Sequence, residues 1–220
     1  VLLGALIAGD SVKETLSEVA RQRVGQVDHV FAAGEGFFRD ALAADVSTGS
    51  LRAAPVLLLR GQLSSPSSGR ALGSVQILGV DDRFWGFSPD PGKSVVLQPR
   101  EVAINDYLAR SLDLEEDDSV ILRLQEPGML SRDAPLSGEA EDVISFRAKV
   151  RAVAGDGEFG RFNLQATQLS VPTVFVPLAR LQQVVDQPAK ANLLLLNTGE
   201  EGALPGGGLT EHIRSRMVLE

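Results

Sequence analysis

The sequence contains no cysteine. That absence excludes a disulfide scaffold, a thiol nucleophile and a cysteine-ligated metal site. Histidine is nearly as scarce. His29 and His212 are the only two and lie far apart, so a histidine-rich metal site is excluded. A Ser-His-acid triad has few ways to form, and no Gly-x-Ser-x-Gly elbow is present to pair with either histidine. Basic charge is also in deficit. Twenty-one Lys and Arg stand against 29 Asp and Glu, a net charge of -8. Nucleic-acid binding favours clustered Lys and Arg, so that class is not expected.

Long apolar runs are missing too. The opening stretch Val1 to Ala8 holds eight apolar residues, far short of the about 20 needed to cross a bilayer. No basic segment precedes it, as a signal peptide would require. Two readings remain: a buried N-terminal element, or the cut end of a transmembrane helix. The absence of an initiator Met favours the second. Leu209 to Glu220 likewise reads as a helix start that stops without a cap.

What is present suits a folded chain. The 220 residues are 44% apolar and 23% charged, enough for one large or two small domains. A disordered, collagen-like or coiled-coil chain is excluded. Ser11 followed by Glu14 is a capping-box pattern, and Val12, Leu16, Val19 and Ala20 follow at helical spacing. A helix is expected over Ser11–Val24, with Gly25 as its stop. Val27 to Ala33 reads as a strand. Phe37, Phe38, Ala41 and Leu42 are expected on one side of a short helix.

Val56 to Leu63 and Ser74 to Val80 form a natural antiparallel pair around a Ser-Pro-Gly loop. Asn105 is a good N-cap for a helix through Leu112. Val120, Leu122 and Leu124 mark a half-buried strand. Ile144 to Ala152 alternates cleanly with Ser145, Arg147, Lys149 and Arg151, which suggests an antiparallel sheet with one wet face. Val171 to Val176 is a strand, Leu178 to Val185 a helix, and Leu193 to Leu196 a strand buried on both faces. Gly202 to Gly208 reads as a linker, and Thr210 as the cap of a final helix.

Each candidate site has a plainer reading. Gly34-Glu35-Gly36 lacks the third Gly of a dinucleotide fingerprint and the Lys of a P-loop, so it is a turn. Pro205-Gly206-Gly207-Gly208 has no phosphate-gripping Lys either. The acids Asp113 and Glu115 to Asp118 are contiguous and lack the central Gly of an EF-hand loop, so they read as a solvated turn. Asp81 and Asp82 point to opposite sides of an extended chain and make a poor acid–base pair. His29, between Val27 and Val30, reads as a structural histidine. Phe84, Trp85 and Phe87 form a dense aromatic cluster that serves packing first and partner contact second.

Several segments together resemble the extracytoplasmic domain of MacB-like (FtsX-like) ABC-transporter permeases. Val75 to Phe84 resembles that family's "v.v.Gvd..f" segment. Glu101 to Asn105 with Leu108, Ala109 and Leu112 resembles "vvln..lA..L". Asp117 to Leu122 stands where the family has "vGd.v.l", with Asp117 replacing the customary Gly. Phe146 to Val153 is similar to the strand before "v.gv", Val174 to Leu178 to the "v.vPl" junction, and Leu193 to Leu196 to the closing strand. The segments run in family order over about residues 1 to 200.

The resemblance implies an α+β fold: a porter-like α/β subdomain, residues 1–85 and 173–220, with an inserted β-rich, Sabre-like subdomain, residues 86–172. It implies a domain on the extracytoplasmic side of the cell membrane, between two transmembrane helices. Such a domain is non-catalytic and needs no cofactor or metal. Its partners would be an ATP-binding subunit or domain, a second permease copy, and an extracytoplasmic partner protein or lipoprotein. Residues 86–172 carry 15 acids and 9 bases, so the acidity belongs mainly to the part expected furthest from the lipid. The Ser11–Val24 helix is expected to carry motion from the membrane. The alternative is a soluble ligand- or protein-binding module without transport coupling. A hydrolase using the acidic residues is a third reading and requires two converging carboxylates in a pocket.

Overall fold

A computed structural model describes residues 22–34, 36–125, 143–165 and 170–199, together with 213 and 216. The helix expected over Ser11–Val24 lies mostly outside the described residues, though 22–24 are helical. The segment Val1 to Ala8, the Gly202–Gly208 linker and His212 also lie outside them.

The chain runs β1 (His29–Ala32), β2 (Phe38–Arg39), α1 (Leu42–Val46), β3 (Arg52–Ser64), β4 (Ala71–Val80), α2 (Asp82–Trp85) and β5 (Glu101–Asn105). It continues through α3 (Asp106–Leu112), β6 (Ser119–Gln125), β7 (Val143–Ala154), β8 (Thr173–Pro177), α4 (Leu178–Val184), β9 (Lys190–Ala191) and β10 (Leu193–Asn197). The fold is α+β, dominated by one eight-stranded sheet ordered β1-β10-β3-β4-β8-β5-β7-β6.

That sheet closes on itself. β6 returns to pair with β3, through Gly61 opposite Leu124 and Ser64 opposite Ile121. The ring β3-β4-β8-β5-β7-β6 is therefore a barrel, and β10 and β1 extend from the first half of β3. Alternation along each strand sorts the side chains. Leu57, Leu63, Ile77, Ile104, Leu122 and Val174 are fully buried in one core. Leu108 of α3 and Leu181 of α4 pack into the same core. Burying each such side chain contributes about 1.5–3 kcal/mol. A second core lies on the other face, where Leu78, Val80, Phe175 and Leu195 meet the rings of Phe84, Phe159 and Phe162. A third joins Leu194 and Leu196 to Phe38, Leu42 and Ile213.

β3 begins at Arg52, earlier than its apolar pattern suggested. Ala53 to Val56 find their partner in β10, with Pro55 opposite Leu194. The carbonyl of Val56 accepts from the Asn192 N–H, so Val56 faces the β10 side and Pro55 faces away from it. β4 has ended by then, since its last pairing is Leu57 with Gly79. The N–H that proline lacks is missed by no neighbouring strand.

Three expectations need correction. Phe38 is not helical: with Arg39 it pairs against β9, and its buried ring packs in the third core beside Phe31, 5.7 Å between centroids. The sheet is mixed rather than antiparallel, since β4–β8 and β5–β7 are parallel pairs. His29 is exposed on β1, not packed. Other expectations hold. Leu193 to Leu196 are all buried, and Asn105 caps α3 through its Oδ1, which accepts from Leu108 N at 3.1 Å. Asn105 does more than cap. Its Oδ1 also accepts from Thr173 N, and its Nδ2 donates to the carbonyls of Gly160 and Val171.

Segment 86–172 departs after α2 and returns at β8, which lies beside β4. Within it, β5 pairs with β8 and β6 with β3.

Candidate functional site

The polar side chains converge where the incoming and outgoing segments meet. β1 runs antiparallel to β10, with His29 opposite Leu196. Just before β1, the backbone is fixed by Gln26 N donating to Phe87 O at 2.8 Å and Asp28 N donating to Leu196 O at 2.9 Å. Gly25 makes this approach at φ +57. A Cβ there would collide with the Phe87 carbonyl oxygen and stand 2.8 Å from the Phe159 ring.

Arg52, at the start of β3, ties these pieces together. Its guanidinium donates to Gln26 Oε1 at 2.7 Å, to Asn197 Oδ1 at 3.1 Å and to the Gly86 carbonyl at 3.4 Å. It also lies 5.2 Å from the centroid of the Phe87 ring, a cation–π distance. Asn197 reaches back, donating to Gln26 O at 2.5 Å and to Asp28 Oδ2 at 3.2 Å. The same Asp28 oxygen accepts from Thr198 N at 2.9 Å and from Thr198 Oγ1 at 3.1 Å. Five residues, Gln26, Asp28, Arg52, Asn197 and Thr198, thus clasp both segments to the start of β3. Beside them lies a concavity of about 410 Å³, bordered by Thr48, Leu51, Arg52, Arg83 and Phe87.

The residues singled out in the sequence are placed as follows. Phe84, Trp85 and Phe87 are 0%, 2% and 2% exposed, so packing is the role their positions give them. Phe84 is the hub, with ring centroids 5.3 Å from Trp85, 4.7 Å from Phe159 and 5.8 Å from Phe175. Asp81 is occupied as the cap of α2 and as the ion-pair partner of Arg83, at 2.6 Å. Asp113 ends α3 in the left-handed conformation, and Asp118 Oδ2 accepts from Glu115 N. Asp117 pairs with Lys149 at 2.9 Å. The Lys149 hydrogen bond and charge, helped by Arg151, hold its carboxyl below the usual range. No group of His, Asp and Glu suited to a metal ion occurs among the described residues.

Sequence reasoning missed the clasp. Its residues are polar side chains at strand ends, a pattern that also marks ordinary turns.

No protein-family model matches the chain, and neither does any curated protein. Among solved structures, the periplasmic region of MacB from Actinobacillus actinomycetemcomitans is similar at a TM-score of 0.47 and 9% identity, covering 81% of this chain and 71% of that one. The extracellular domain of the noncanonic ABC-type transporter YknZ from Gram-positive bacteria is similar at 0.44 and 7% identity, covering 88% and 86%.

Proposed function

We propose that the chain is the non-catalytic extracytoplasmic domain of a MacB/FtsX-like ABC-transporter permease, carried between two membrane-spanning helices. The observation that carries this reading is the clasp. A domain looped out between two neighbouring helices needs its incoming and outgoing segments side by side, and β1 and β10 run antiparallel as neighbours. Movement of either segment would be delivered through Arg52 to β3, the longest strand among the described residues. ATP hydrolysis would belong to a separate subunit or domain. Segment 86–172 is read as the insertion of the family pattern, since it leaves and rejoins between the adjacent strands β4 and β8.

The family-like segments supply further support, because three of them span a strand and the helix that follows it. Val75 to Phe84 spans β4 and α2, Glu101 to Leu112 spans β5 and α3, and Val174 to Leu178 is the β8–α4 junction. Asp117, standing where the family has Gly, has φ +74, a conformation that glycine adopts without strain.

The test is the intact gene product. Apolar stretches of about 20 residues on both sides of this chain are expected, with both termini of the domain reporting an extracytoplasmic position in a topology fusion assay. Hydrophilic flanks would reject the reading.

A further inference from the structure

The outer face of the barrel carries a basic groove that no ion pair among the described residues employs. Gln62 of β3 and Arg123 of β6 are register partners, so they share a face. Arg60, two residues from Gln62, shares it as well. On β7, Ser145 lies opposite Arg123 and Arg147 opposite Ile121, which continues the same face. Arg60, Arg123 and Arg147 are exposed. None of the three has a carboxylate partner among the described residues, although the chain as a whole is strongly acidic.

The groove itself holds about 370 Å³ and is lined by Arg60, Gln62, Ser74, Arg123, Leu124 and Val143. Gly73 lines it without a side chain, with nothing within 4 Å of where a Cβ would stand, so another backbone can approach closely at that edge. Val143 is 59% exposed and gives the rim an apolar patch. The lining therefore offers guanidinium groups for carboxylates and carbon surface for the residues between them.

From these features we infer that the groove docks an extended acidic segment of an extracytoplasmic partner protein, with Arg60 and Arg123 gripping its carboxylates. The choice of a protein over a membrane surface rests on the permease reading. Arg60 lies eight positions beyond Arg52 on β3, about 26 Å at the rise of an extended strand. If the clasp faces the membrane, the groove is about three Debye lengths further out, where lipid charge is screened.

The test uses the 220-residue chain and a fluorescent hexapeptide of alternating glutamate and valine, followed by anisotropy at low salt. The peptide should bind, and its glutamine analogue should bind about tenfold more weakly or worse. R60E/R123E should weaken glutamate-peptide binding about tenfold or more, while R100E/R110E, with the same net charge, should change it less than about twofold. R60Q/R123Q should give an intermediate loss and stands in if the charge reversal unfolds. Vesicles containing about 30% phosphatidylglycerol should not retain the chain. Equal binding by R60E/R123E and R100E/R110E would overturn the proposal, as would no peptide binding at all. Vesicle binding abolished by R60E/R123E would overturn it in favour of lipid. Peptide binding does not depend on the flanking residues, so its failure leaves the permease reading standing, and hydrophilic flanks would leave the groove standing.

Discussion

At the scale of single residues, the clasp makes Arg52 the side chain with most to lose. Its guanidinium holds Gln26, Asn197 and the Gly86 carbonyl together, but it is exposed and takes no part in the cores. Arg52→Ala is therefore expected to free the two segments without unfolding the barrel. Amide hydrogen exchange at Gln26, Asp28 and Thr198 should quicken about tenfold, the equivalent of about 1.4 kcal/mol of local opening. Exchange in β4 and β8 should stay unchanged. A second residue-scale expectation concerns Asp117. Its lowered pKa means that the ionised carboxylate is favoured by folding, so its contribution is present above the usual carboxylate range and fades as pH falls through the depressed value. A carboxyl-detected NMR titration should find its midpoint below that range, and Lys149→Ala should raise it. The same residue tests the backbone. At φ +74, Asp117→Ala should lower the urea midpoint, because a residue with a Cβ and no local polar contact tolerates that region poorly. Asp117→Gly should leave the urea midpoint close to the parent's, since glycine adopts that conformation freely and the lost exposed ion pair contributes little.

At the scale of elements, two junctions hold the barrel together. Asn105 is 1% exposed and joins β5, α3, β8 and the Gly160 turn through four hydrogen bonds. Asn105→Ala leaves the two donors and two acceptors without partners and should destabilise by about 2–4 kcal/mol, read from the urea midpoint. Gly61 is the other junction. A Cβ there would collide with the Arg123 carbonyl oxygen and come 2.8 Å from Ile77 Cδ1, so Gly61→Ala should cost about 1–3 kcal/mol by forcing β3 from β6. The contrast between these residues shows what the sequence discloses. Asn105 was legible as a cap, because a cap is local and its signal is one residue before an apolar helix. Its other three partners, the carbonyls of Gly160 and Val171 and the N–H of Thr173, arise only when distant segments meet. The strands at Ser74, Val120, Ile144 and Leu193 were legible from alternation or apolar runs. Gly61 looked unremarkable within its strand, since β3 meets β6 through a pairing that no local pattern encodes. The clasp and the basic groove stayed hidden for the same reason: each is assembled from residues far apart in the chain.

At the scale of the whole molecule, the barrel unites the two parts that the family pattern separates. β5 and β6 owe neighbours to β8 and β3, so a fragment of residues 86–172 alone has unpaired strand edges and half of a core. It should show no cooperative urea transition, whereas the full chain should unfold in a single one detected equally by tryptophan fluorescence and circular dichroism. Trp85 belongs to the aromatic core and reports on it directly. The parallel pairing of β4 with β8 carries one more consequence, and it concerns time. Gln76 must find Thr173, and β3 must then find β10, so the ring and its extension are completed only by the last strands to be made. Until then β3 and β4 present open edges, and loop closure over so long a stretch is costly before any contact repays it. A chain with this topology should refold slowly, over milliseconds to seconds. On the extracytoplasmic side, where the proposed function puts it, tethering both ends of the chain to neighbouring helices would shorten that search.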